Sequence, residues 1–115
     1  MGADARLTEL NLTLPPAPKP VATYLTAVRH GDLMFVSGHG PLRDDKSFII
    51  GRIGKDMDQD AGKLAARQVG LAILSTIKTH FGSLDNVKRV IKVLGMVVGF
   101  CMILKETVQT RPMMP

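Results

Sequence analysis

Tryptophan is absent from this chain of 115 residues, and aromatic residues as a class are sparse, at four Phe and one Tyr. A core made from such a sequence is aliphatic, and the stacked aromatic platforms of single-strand nucleic-acid binders are disfavoured. There is one cysteine, Cys101. It excludes an intrachain disulfide framework and makes a reducing compartment the default. No apolar run reaches the roughly 18 residues of a spanning helix. The start, Met1 to Arg6, is polar and lacks the apolar segment of a secretory signal. Gly2 invites a myristoylation reading, but Arg6 stands where that signal needs Ser or Thr. By elimination no membrane partner is expected and the expected location is cytoplasmic, with the mitochondrion left open.

What remains is ordinary for a globular chain: 45% hydrophobic and 22% charged residues, in a length that holds one domain at most. The net charge is +5, which permits contact with small anions or nucleic acid without specifying either. The basic residues are dispersed. Their densest group, Lys88, Arg89 and Lys92, reads as a solvated face before it reads as a nucleic-acid groove.

Residues 1–13 suggest a short helical turn or a loose arm, and the proline-rich stretch from Pro15 to Pro20 must be extended. Val21 to Val28 is β-branched and reads as a strand. Arg29 to Asp32 reads as a turn, and Leu33 to Ser37 as a second strand, so the two make an antiparallel hairpin. The second strand runs into Ser37-Gly38-His39-Gly40-Pro41, where small residues let a ligand approach the backbone. The plain alternative is an ordinary strand-to-loop exit. Phe48 to Ile50 offers a short third strand. Apolar residues then recur every three or four positions at Ala61, Ala65, Val69, Ala72, Ile73, Ile77 and Phe81. Acidic residues precede this run and Gly82 follows it, as at helix ends. A helix of about 24 residues is about 36 Å long, and one stripe of that length must lie on a sheet. After a turn at Ser83 to Asn86, Arg89 to Val97 reads as a strand, although its apolar positions fit neither period well. The order is β-β-(β)-α-β, an α+β arrangement with helix on one face. No second helix fits between Gly99 and Pro112.

Several pieces in fixed order carry a family resemblance: Pro20 to Tyr24, Gly31 to Leu42, Gly51-Arg52-Ile53-Gly54, the helix ending at Gly82, and Leu84 to Val93. Together they resemble the RidA/YjgF family of reactive-intermediate deaminases, also known as L-PSP endoribonucleases, over roughly residues 15–98. The resemblance implies a chorismate-mutase-like (YjgF-like) α+β fold, a mixed sheet packed by helices and assembled as a homotrimer with clefts between subunits. It implies cofactor-free hydrolysis of small imino acids or their enamines to a 2-keto acid and ammonia. By position Tyr24 matches the cleft tyrosine, and Ser37 and Gly38 the turn that meets substrate. His39 stands where many members have glutamine. Each has a plain alternative: a core tyrosine, a serine tying up a loop amide, a histidine capping the turn.

The family's carboxylate-gripping arginine and catalytic glutamate lie beyond its second helix. Neither Arg111 nor Glu106 stands in a matching context, so no catalytic residue is carried over. The expected layout is an arm and lead-in at 1–20, a partial family domain at 21–98 and an aberrant tail at 99–115, with the second helix and last strands absent. A frameshift, alternative splice or gene-model error near codon 98 explains so abrupt a departure. Reading the other two frames after that codon checks it: a helix followed by an Arg-containing strand is expected in one of them. Two alternatives stand beside the deaminase: an RNA-binding endoribonuclease or translation inhibitor, which the basic charge favours and the few aromatics oppose, and a non-catalytic chain whose open sheet edge pairs with another subunit. His30, His39 and His80 lack ligand spacing and no Cys-x-x-Cys exists, so no metal site is expected. Gly38-His39-Gly40 lacks the longer glycine pattern of a phosphate loop.

Overall fold

The long helix is the element about which the rest is laid down. In the computed structural model, which describes residues 2–20, 23–98 and 101–110 (backbone alone at 97, 98 and 101–110), it spans Gln59–Phe81. The Asp58 carboxylate accepts a hydrogen bond from the Ala61 amide at 2.8 Å and so caps its start. Gly82, at φ +78°, ends it in a conformation that a Cβ disfavours. In chain order the elements are helix α1 (Ala3–Glu9), strands β1 (Ala27–His30) and β2 (Leu33–His39), and the long helix α2. A 3-10 turn (Leu84–Asn86) and strands β3 (Val87–Val98) and β4 (Cys101–Thr110) follow.

The sheet order is β1-β2-β4-β3, and each neighbouring pair is antiparallel. The expectation of a mixed sheet is therefore corrected. The crossover through α2 does bring β3 back in the direction of β2, as a mixed sheet requires. A hairpin then sends β4 between them, so the parallel neighbours never meet. Within the stretch expected as the tail, Cys101–Thr110 forms an interior strand, while Gly99, Phe100 and 111–115 lie outside the described residues. Among the described residues no helix follows the 3-10 turn, and the architecture is α+β, a small antiparallel sheet with one long helix.

Smaller shifts have local causes. Arg29 and His30 belong to β1, because the hairpin closes through Gly31 and Asp32 alone, with His30 opposite Leu33. Gly31 supplies the positive φ, +59°, at the first of two loop positions. The Val21 to Val28 strand begins only at Ala27, and Val21 and Ala22 lie outside the described residues. The expected strand at Phe48 to Ile50 is a single bridge between Leu42 and Phe48. β3 runs longer than expected, and register shifts at Val87/Arg89 and Val90/Lys92 explain why its sequence fits neither period.

The core is aliphatic. Ala27, Met34 and Val36 of the sheet meet Val69, Ile73 and Ile77 of α2, with Leu84 closing one end. Leu7 of α1 packs against this cluster. A helix of seven residues is unstable alone, and both ends of α1 are fixed from outside or by special geometry. The Asp85 carboxylate accepts from the Asp4 amide at 3.0 Å. In return the Asp4 carboxylate accepts from the Ser83 hydroxyl at 2.5 Å and the Leu84 amide at 3.2 Å. Two helical starts thus cap each other. A Cβ on Gly2 would meet the Asp85 carboxylate at 2.3 Å, so the approach needs glycine there. At the other end Asn11 takes φ +54°, with Leu12 N–H on Leu7 O at 3.0 Å and Asn11 N–H on Thr8 O at 3.1 Å. That double bond is a Schellman ending.

We expect Asp4→Ala and Asp85→Ala each to lower stability by about 1 kcal/mol, the usual cost of a lost cap. Hydrogen exchange should show α1 amides losing protection in both variants while α2 amides keep theirs. Unchanged α1 protection in both would contradict the docking.

Candidate functional site

Strand alternation sends every second side chain to the same face. In β2, Met34 and Val36 are buried against α2 and Phe35 is exposed. Continued alternation would send Ser37 and His39 outward with Phe35. The pairing with β4 shows otherwise: Val36 lies opposite Glu106 and His39 opposite Leu104, three steps on β2 against two on β4. The extra residue is a bulge at Ser37-Gly38, and it turns His39 inward. His39 is 3% exposed.

The imidazole is held at both nitrogens. A carbonyl only accepts, so Nδ1–H donates to the Ser37 carbonyl, 2.8 Å away. Nε2 is then the acceptor for the hydroxyl of Thr76, a fully buried residue of α2, at 2.7 Å. Burial pushes the His39 pKa below its ordinary 6.5, and the bond to the Ser37 carbonyl opposes that shift. The ring anchors the turn to the helix. Ser37 is also tied to the residue that leads into β1: its amide and its hydroxyl both donate to the Thr26 carbonyl, at 3.0 and 3.2 Å. The Thr26 hydroxyl is hydrogen-bonded to His80 Nε2 of α2 at 2.9 Å.

Of the residues singled out in the sequence, Ser37, Gly38 and His39 are brought together in one bulged turn. Tyr24 stands apart in the segment leading into β1, with 41% of its surface exposed. His39 has the turn-capping geometry, with its ring directed at α2. Sequence reasoning missed Thr26, Thr76 and His80, which hold the turn in place. The threonine-histidine pairing across elements has no local signal. Glu106, named in the sequence and not carried over, has its backbone opposite Val36, the last paired residue before the bulge. One cavity of about 580 Å³ lies elsewhere, among Leu7, Leu12, Pro15, Ser75 and Lys78, and touches none of the four. Among the described residues no three His, Cys, Asp or Glu side chains gather as metal ligands, and no helix is long and apolar enough to cross a membrane.

No protein-family model matches the chain. Protein TCP17 of Trypanosoma cruzi is 35% identical over 88 residues, which make up 76% of this chain and 55% of that protein. The chain thus spans about half the length of the curated relative it matches. Among solved structures, a Shewanella oneidensis MR-1 protein provisionally described as an endoribonuclease superposes with a TM-score of 0.85 at 16% identity, covering 95% of this chain and 99% of that one. The protein Atu1372 of Agrobacterium tumefaciens, of unknown function, gives 0.79 at 23% identity, covering 93% and 91%. At such identities the likeness defines the fold alone, the α+β arrangement of a small antiparallel sheet and a long helix shared with these two proteins.

The buried neutral imidazole sets a pH dependence. With its native pKa below the unfolded one, its contribution to stability is complete above about pH 6.5 and is lost as the pH falls from there through the lower native value. Urea unfolding at pH 7.5 and 5.5 should show this loss in the wild type and a smaller one in His39→Gln. His39→Ala, which strands the Thr76 hydroxyl and the Ser37 carbonyl, should cost about 1–3 kcal/mol at pH 7.5.

Proposed function

We propose that this chain is a RidA/YjgF-type protein acting on small imino acids or their enamines, hydrolysing them to a 2-keto acid and ammonia. The observation that carries the reading is the bulge. Ser37 and Gly38 have no partner in the β4 register, and they sit between two paired stretches of a rigid strand. A substrate can meet small residues and main chain there at a fixed geometry. The resemblance of Gly31 to Leu42 to the family's substrate turn supports the same place.

In the reaction, water adds to the C=N carbon, and the resulting carbinolamine expels ammonia as the C=O bond forms. Ser37 and Gly38 would position the imine, and Tyr24 would flank it. His39 acts at one remove, fixing the turn through Thr76. No arginine occupies β2 or β4 among the described residues. A charge-assisted bond is worth about 1.5–3 kcal/mol, so substrate binding without a guanidinium partner is weak.

Stopped-flow decay of 2-aminoacrylate tests the reading. Acceleration over buffer is expected, with a high KM that Ser37→Ala raises further. Decay at the buffer rate overturns it. A second reading, an RNA-binding ribonuclease, is favoured by the description of the Shewanella neighbour and by the net charge of +5. Binding of single-stranded RNA that weakens steeply with salt would support that reading, and affinity unchanged by salt would remove its electrostatic basis.

A further inference from the structure

The cavity of about 580 Å³ is built by three segments, α1, the proline-rich lead-in and α2. Its volume falls in the range of small-molecule sites, about 300–1,000 Å³. Its walls are fixed from outside. The Ser75 hydroxyl, buried on α2, donates to the Pro15 carbonyl at 2.6 Å and ties the lead-in to the helix. Pro15 and Pro16 keep the backbone of that wall stiff. The capping exchange between Asp4 and the 3-10 turn fixes the α1 wall. The lining carries one charge of each sign, Asp4 and Lys78. Lys78 Nζ stands 3.8 Å from Asp4 Oδ1, beyond the hydrogen-bonding distance of a tight ion pair. Both Asp4 oxygens already accept from Ser83 and Leu84, so this pairing is loose. Each oxygen keeps a further lone pair for another donor, and the ammonium has three N–H groups to give. The Ser83 hydroxyl holds the Asp4 carboxyl below its ordinary pKa, which keeps it ionised at neutral pH. Leu7, Leu12 and Leu14 line the same cavity.

We propose that this cavity binds a zwitterionic α-amino acid with an aliphatic side chain, its carboxylate on Lys78, its ammonium on Asp4 and its side chain against the leucines. Charge selects the class of ligand. A carboxylate without an amine brings a second negative charge beside Asp4, and an amine without a carboxylate brings a second positive charge beside Lys78. Such like-charge contacts reject a ligand as effectively as good contacts attract one. A ligand with both signs meets neither. In an α-amino acid the two charged groups are joined through a single carbon, which suits partners that stand 3.8 Å apart. The bound molecule bridges α1 to α2 and so reinforces the docking that the Asp4 and Asp85 caps begin. The site is separate from the Ser37-Gly38 turn and does not depend on the deaminase reading.

Nuclear magnetic resonance titration of the full chain with L-leucine tests the proposal. Saturable shifts are expected at the amides of Thr8, Leu12, Lys78 and Thr79, together with greater hydrogen-exchange protection of α1. Isocaproate lacks the amine of leucine, and isopentylamine lacks its carboxylate. Each should bind about tenfold more weakly or worse, in keeping with the loss of one charge-assisted partner. Lys78→Met keeps the stem and removes the charge, and should weaken L-leucine binding to a similar degree while its spectrum keeps native dispersion. No saturable shift in the millimolar range, shifts centred on the Ser37-Gly38 turn, or equal binding of either analogue overturns the proposal. A Lys78→Met chain that binds L-leucine as the wild type does overturns it as well. The comparison of ligands on the wild-type chain decides the matter even where Lys78→Met fails to fold.

Discussion

The hydrogen bond between the Thr76 hydroxyl and His39 Nε2 is the contact on which the candidate site depends. It joins a buried turn of α2 to the end of β2 at 2.7 Å, and it exists because one extra residue in β2 rotates His39 to the inner face. Without the bulge, His39 would stand in solvent and Thr76 would face the core with an unpaired hydroxyl, at a cost of about 1–3 kcal/mol. With it, the Ser37 carbonyl is drawn onto Nδ1, and the Ser37 amide and hydroxyl are left to Thr26, the residue that leads into β1. Helix, bulge and hairpin therefore share one network: Thr76, His39, Ser37, Thr26 and His80. Moving any one of the three elements breaks bonds in the other two.

The same network separates the roles within the turn. The imidazole spends both nitrogens on the protein itself, so its contribution to any reaction is positional. What the turn offers to a ligand is the small pair Ser37 and Gly38 beside the open face of the sheet, where Phe35 and Val28 remain exposed.

The long helix was legible because its signals agree: a capping Asp58, apolar residues three and four apart, and Gly82 at the end. The β1–β2 hairpin was legible in kind and misplaced by two residues, since Arg29 and His30 have turn-like composition but tertiary pairing keeps them in the ladder. The bulge was not legible. Ser37-Gly38-His39 reads as strict alternation, and only the register imposed by β4 disturbs it. β3 read poorly for the same reason, its two register shifts having erased its period. β4 was hidden by composition: its apolar start and polar end look like a tail until β3 supplies a partner. The ending of α1 at Asn11 was equally silent, because asparagine adopts the left-handed conformation only where the bonds to Thr8 and Leu7 require it.

The mutual capping of Asp4 and Asp85 joins residues 81 positions apart in the chain. A seven-residue helix cannot nucleate alone, and closing so long a loop is entropically costly before other contacts have shortened it. The docked form of α1 therefore requires α2 and the 3-10 turn to be in place, so that Ser83, Leu84 and Asp85 are presented to it. Helix α1 is in this sense a clasp, held shut by contacts that only the assembled α2 and 3-10 turn can offer.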